Sequence, residues 1–162
     1  MRSRLRLLFY GLFAVLIVAA DQLVKLWVVQ NIPLHGHMDM IPGVLGLTYV
    51  QNRGAAFSIL QDQQWLFAVI FVLFAVFLVW EFATKKLPFT KFERGCLVAI
   101  FAGGRGNMID RIRLGFVVDM LRTEFMNFPI FNVADCFITC GCIALLVHLV
   151  LFNKQFWKDE AK

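Results

Sequence analysis

The sequence predicts an integral membrane protein, mainly α-helical, in which four membrane-crossing helices carry a small extracytoplasmic β platform. Three observations lead there. Of the 162 residues, 60% are hydrophobic and 17% charged, against about 45–50% and about 25% in a soluble domain. Four stretches come near the roughly 20 largely apolar residues that a spanning helix needs. Lys and Arg crowd onto alternate connecting segments. This profile excludes a disordered chain, a soluble basic nucleic-acid-binding domain and a secreted disulfide scaffold, and the length suits a single membrane domain over residues 1–162.

The first span, about residues 7–29, is apolar to Ala20 and then carries Asp21 and Lys25. Arg2, Arg4 and Arg6 ahead of it resemble the start of a signal peptide. No small-x-small cleavage site followed by a polar mature region appears, so a retained span is expected. The second, about 65–82, has no charge before Glu81. The third, about 95–113, is apolar only to Gly104 and continues through Arg105, Asn107, Asp110 and Arg111. The fourth, about 134–152, opens on Asp135 and holds His148 near its end.

Orientation follows from the short loops. The N-terminus, the loop at 83–94 and the C-terminal tail hold three, four and three Lys or Arg, whereas the segments at about 30–64 and 114–133 hold one each. By the positive-inside rule both termini are cytoplasmic and the two larger polar segments face outward. The formal charge of +5 then reports topology and contact with anionic headgroups, with no nucleic acid implied. In the first outward segment Pro42-Gly43 signals a turn and Val44–Val50 reads as a short strand ending at Asn52-Arg53-Gly54. Gly115–Met120 is a candidate second strand.

Ionisable groups within spans cost roughly 2.5–3.5 kcal/mol each on insertion scales, so each needs a partner or a purpose. Asp21 and Lys25 stand i,i+4 with the acid first, the favourable order for a local pair. They either compensate one another or help to organise the outer platform. Gly103, Gly106, Asn107, Asp110 and Arg111 share one sector of the third span. Small residues there allow close helix approach and Asn allows a bond across it. Asp110 and Arg111 leave the helix about 100° apart and call for partners elsewhere in the bundle.

Asp119 lies just outside span three and Asp135 opens span four, both expected near the outer face. A lone Asp at a helix start is ordinarily a cap or a dipole partner. Two carboxylates at one depth, flanked by Asn107 and Asn132, have a further capacity: held close, they share a proton. One then serves as base for water and the other as acid for a carbonyl oxygen, hydrolysing a peptide bond without metal or covalent intermediate.

Other chemistries have thinner support. His35 and His37 have only Asp39 nearby in sequence, and His148 is remote, so no metal site and no cofactor are expected. Cys96, Cys136, Cys140 and Cys142 suit small apolar filler. A Ser58–Lys25 nucleophile pair stays open on sequence alone. Rival classes are a four-span proton-coupled transporter, whose acids should sit near the midplane, and a non-catalytic assembly factor.

Five motifs in order carry a resemblance: Asp21-Gln-Leu-Val-Lys25, Asn52-Arg-Gly-Ala-Ala-Phe57, Gly103-Gly-Arg-Gly-Asn107-Met-Ile-Asp110-Arg111, Gly115-Phe-Val-Val-Asp119 and Phe131-Asn132-Val-Ala-Asp135. Over about residues 7–152 the chain resembles the bacterial lipoprotein signal peptidases, or signal peptidase II. The resemblance implies an intramembrane aspartyl endopeptidase of the bacterial cytoplasmic membrane, working near the outer leaflet. It implies cleavage of prolipoproteins on the amino side of a diacylglyceryl-modified Cys, and inhibition by globomycin. It further implies an outer β cradle with a short surface helix.

By motif the catalytic pair is Asp119 and Asp135, with Asp110 a rival whose neighbour Arg111 suggests a structural ion pair. Asn52, Gly54, Asn107, Asp110, Arg111, Asn132 and Ala134 match positions supporting the site or substrate. Asp21 and Lys25 match positions counted important for activity or stability. Arg105 departs from the pattern, which has an aliphatic residue there; this bears on packing or lipid contact of span three. The expected partners are prolipoprotein substrates and membrane lipids, with the protein itself a monomer.

Overall fold

The structure, a computed structural model, describes residues 2–54 and 63–158. In chain order the elements are α1 (Arg2–Asn31), β1 (His37–Ile41), β2 (Leu45–Asn52), α2 (Gln64–Thr84), α3 (Lys91–Leu114), β3 (Val117–Thr123), α4 (Val133–Leu151) and the short α5 (Lys154–Lys158). Among the described residues three helices are long and apolar enough to cross a membrane: Arg4–Asn31, Gln64–Thr84 and Val133–Leu151. Their large apolar side chains point outward, as at Leu8, Leu16, Leu73, Val79, Leu146 and Val150. In water that surface would aggregate; against lipid it is the matching solvent.

α3 is the exception that organises the bundle. Its 24 residues span about 36 Å, long enough to cross, but Asn107 and Asp110 lower its apolar content. Both are buried, because α3 packs against α1, α2 and α4 and turns them inward. Glycines permit this closeness. A Cβ at Gly103 would stand 2.5 Å from the Ala134 carbonyl oxygen, and one at Gly141 would stand 2.9 Å from Ile100.

The helix ends are closed by their own sequence. Thr90 and Glu93 form a capping box at the start of α3, with bonds of 3.3 and 2.6 Å. Gly115 ends that helix at φ +78°, a conformation open to glycine, and donates its N–H to the Arg111 carbonyl. Away from the sheet, the fully buried Glu81 of α2 accepts from Arg94 of α3 at 2.8 and 3.2 Å. Buried Glu93 meets His148 of α4 at 2.7 Å and accepts from Asn153.

The three strands form one antiparallel sheet in the order β1-β2-β3. Its inner face, Leu47, Tyr49, Val118 and Met120, packs on Val28 and Ile32 at the end of α1. The platform therefore sits on the bundle end where α1 and α3 finish and α4 begins. β2 extends the expected strand to Asn52, and β3 starts two residues later than expected because Gly115 is committed to the helix cap. β1 was not foreseen. Every residue in it is exposed, so no buried alternation marks it, and its place as an edge strand comes from pairing with β2. Among the described residues no helix lies in the outward segments, and the short helix present is α5; Ala55, Ala56, Phe57 and Ser58 fall outside the described residues.

Replacing Gly103 by Ala should destabilise the protein by about 1–3 kcal/mol, because backbone of α4 must retreat. Gly11→Ala, with nothing within 4 Å of the added methyl, should be neutral or stabilising. Thermal unfolding in detergent should show a lowered midpoint for the first variant alone.

Candidate active site

Asp119 comes from β3, where it pairs with Val50 of β2. Two residues along β2, on the same face, Asn52 donates its amide to Asp119 Oδ2 at 2.8 Å. The Asn52 oxygen accepts from the Gly54 N–H at 2.9 Å, so the amide cannot flip without losing a bond. After β3 the chain returns along it: Phe131 exchanges backbone bonds with Leu121. That return places Asn132 against Asp119, whose Oδ1 accepts from Asn132 Nδ2 at 2.6 Å.

Asn132 also caps α4. Its oxygen accepts from the Asp135 N–H at 2.9 Å, and Asp135 Oδ2 accepts from the Asn132 N–H at 3.1 Å. Asp135 thus belongs to a capping box as its third helical residue and is not itself the cap. Its other oxygen accepts from Asn107 of α3 at 2.7 Å. The two acids consequently both bond to one residue, Asn132, Asp119 through its side chain and Asp135 through its backbone N–H, with Asn52 and Asn107 each donating to one of them.

Behind the asparagines lies a buried charge cluster. Lys25 Nζ meets Asp21 at 3.0 Å and Asp110 at 2.9 Å and donates to the Asn107 oxygen at 2.9 Å. Asp21 accepts from the Ala134 N–H, which fastens α4 to α1, and Asp110 accepts from the Val118 N–H, which fastens β3 to α3. Asp110 therefore pairs with Lys25, not with its neighbour Arg111. Arg111 donates to the Gly54 carbonyl at 3.1 Å and lies 4.2 Å from the Phe67 ring centroid. Sequence reasoning missed Gln22, whose amide reaches Asp21, Asp110 and the Gly106 carbonyl. An amide beside an acid inside an apolar span was the available signal.

Asn52, Gly54, Asn107, Arg111, Asn132 and both acids line a groove of about 1340 Å³. Asp21, Lys25, Asp110 and Ala134 do not; they lie beneath it, buried. The remaining wall is mostly apolar, with Phe67, Phe71 and Phe74 of α2 facing Ile138 and Cys140 of α4. Such a volume exceeds a drug-sized pocket and suits an extended apolar chain. Arg105 is exposed on α3 and does not line the groove. The four cysteines are free thiols.

Asp119 is 2% exposed, and its burial raises its pKa from 3.8 to about 6. Donation from Asn52 and Asn132 opposes the rise, while the negative charge of Asp135 adds to it. Between pH 4 and 6 the folded protein holds a proton at Asp119 that the unfolded chain has released. Stability should therefore fall as pH rises through this window, by about 3 kcal/mol. The thermal midpoint should show this slope, and Asp119→Asn should flatten it.

A family model described as signal peptidase (SPase) II matches residues 13–151. The chain is 46% identical over 151 residues to a lipoprotein signal peptidase of Streptococcus pyogenes serotype M1, covering 93% of this chain and 94% of that one. It is 43% identical over 157 residues to the one from Streptococcus agalactiae serotype III (strain NEM316), covering 97% of each. Two solved structures described as a bacterial membrane enzyme are similar, at 32% and 33% identity with TM-scores of 0.82 and 0.80. They cover 91% and 89% of this chain, and 90% and 94% of their own. The fold, the paired acids and these relatives converge, and the chain belongs to the signal peptidase II family of lipoprotein-processing peptidases.

Proposed function

We propose that Asp119 and Asp135 are the catalytic pair with which this lipoprotein signal peptidase hydrolyses the bond before a diacylglyceryl-modified Cys. The observation that carries the reading is the attachment of both carboxylates to Asn132 at the wall of one apolar groove. Asp119, raised to about 6 by burial, is the member that keeps the proton; a substrate expelling water from the groove strengthens that tendency. Asp135 stands in the first turn of α4, bonded to Asn132 and Asn107 beside it.

Asp135 takes a proton from a water as its oxygen attacks the scissile carbonyl carbon, and Asp119 gives its proton to the carbonyl oxygen. The resulting gem-diol collapses when Asp119 recovers a proton from one hydroxyl and Asp135 protonates the departing amine. The C–N bond breaks, one carboxyl and one amine are released, and the dyad returns to its starting state. Asn52, Asn107 and Asn132 orient the two acids without adding charge.

The phenylalanines of α2 supply an apolar wall for the signal helix and the acyl chains. Globomycin-type cyclic peptides would compete for this groove. The arginines and lysines of the termini and of the 83–94 loop put those segments in the cytoplasm, and hence the groove mouth at the outer leaflet.

Purified protein in detergent should cleave a diacylglyceryl-modified prolipoprotein peptide and leave its unlipidated counterpart intact. Asp119→Asn and Asp135→Asn should each lower turnover by about 10²–10⁴-fold or more while remaining folded. Near-normal turnover in either variant would overturn the dyad, and equal cleavage of both peptides would remove the lipid from the substrate definition.

A further inference from the structure

On the outer face of the sheet, outside the groove of the paired acids, three ligand-bearing side chains converge. His37 and Asp39 are alternate residues of β1 and share one face. Glu124 follows β3 directly. His37 Nε2 stands 2.9 Å from Asp39 Oδ1 and 3.1 Å from Glu124 Oε1. One ligand atom from each residue lies within 4.8 Å of the other two. The sequence offered His35, His37 and Asp39; Glu124 arrives because β1 and β3 both pair with β2, where Gly46 leaves room for His37 and Glu124 to meet.

We propose that His37, Asp39 and Glu124 bind a divalent transition-metal ion, with Zn²⁺ the best match. One ring N–H cannot fully serve two carboxylates. Without a cation the group carries net −1 even with His37 protonated; a divalent ion with neutral imidazole brings it to zero. Zinc with nitrogen and oxygen ligands at about 2.0–2.2 Å places those ligands about 3.3–3.5 Å apart in a tetrahedron. The two separations from His37 need to open by only a few tenths of an ångström, and the two carboxylate oxygens already lie within 4.8 Å of each other. The fourth position is open to water, since Asp39 is 64% exposed in its side chain.

The surroundings are built as a ligand shell is built. His37 Nδ1 lies 3.0 Å from Thr48 Oγ1, its strand partner, and donation to that hydroxyl leaves Nε2 free as the ligand. Glu124 is held by its own N–H, which donates to the Val44 carbonyl, and by the Gly43 N–H, which donates to Oε2 at 3.3 Å. Beneath them is Gly46. A Cβ there would come to 2.5 Å from His37 Cε1 and 2.6 Å from Glu124 Oε1, so any larger residue would fill the cradle. The ion would tie β1 to the start of the 124–131 segment. That segment joins the strand of Asp119 to the helix of Asp135 and lends Asn127 and Phe128 to the groove wall. The role is a structural staple, separate from the hydrolytic chemistry.

The full-length protein in detergent, stripped of metal by a chelator that is then removed, would be titrated with Zn²⁺ by calorimetry and by competition with a chromophoric chelator. One saturable site per chain is expected, weakened at least tenfold by His37→Ala or by Glu124→Gln and unchanged by His35→Asn. Zinc should raise the thermal midpoint of the wild type and leave that of the two ligand variants in place. These variants keep all four cysteines, so thiol binding would persist in them. Unchanged affinity in both variants, or no saturable binding at submillimolar zinc, would overturn the proposal.

Discussion

The ammonium of Lys25 is the interaction on which the rest of this molecule depends. Buried among helices, it would be prohibitive alone, and two carboxylates and an amide oxygen meet it. Each of those groups is also attached to something else. Asp21 holds the first turn of α4 through Ala134, Asp110 holds β3 through Val118, and Asn107 holds Asp135. One cation therefore sets the mutual positions of α1, α3, α4 and the sheet. Its presence also explains Gly106, where a Cβ would stand 2.5 Å from Asp21.

The asparagines separate that structural charge from the paired acids Asp119 and Asp135. A lysine bonded directly to Asp135 or Asp119 would quench the carboxylate it touched. Asn107 accepts from Lys25 and donates to Asp135, and Asn132 donates to Asp119 while accepting from the Asp135 backbone. An amide has both kinds of site and no net charge, so it passes on orientation with little of the field. Burial then raises the pKa of Asp119 to about 6 against the donation of Asn52 and Asn132 and the charge of Lys25.

Membrane solvent accounts for where all of this is placed. Backbone groups in lipid must be satisfied within helices, so irregular chain and sheet belong at the bundle end. The capping boxes of α3 and α4 close helix starts with side chains, and in α4 the capping residues are also the site residues. Local helix chemistry and the geometry of the paired acids are there the same set of bonds.

Much of the site was legible from residue type and order. Asp119, Asp135, Asn107 and Asn132 stand out because polar groups beside apolar spans demand a reason, whereas Asn52 reads from the residues only as a turn and joins the site through the family resemblance; α1, α2 and α4 stand out because runs of apolar residues have one low-energy form in lipid. Span three was legible only as a puzzle: its polar residues deny it the composition of a lipid-facing helix, and the answer lies in the neighbours that bury them. The partner of Asp110, the reach of Gln22, the edge strand β1 and the meeting of His37 with Glu124 were decided by tertiary structure alone. Propensity and hydropathy act between residues a few positions apart. Apart from the short-range hairpin of β1 with β2, those contacts join residues tens of positions apart, and their energy exists only once the chain has brought them together.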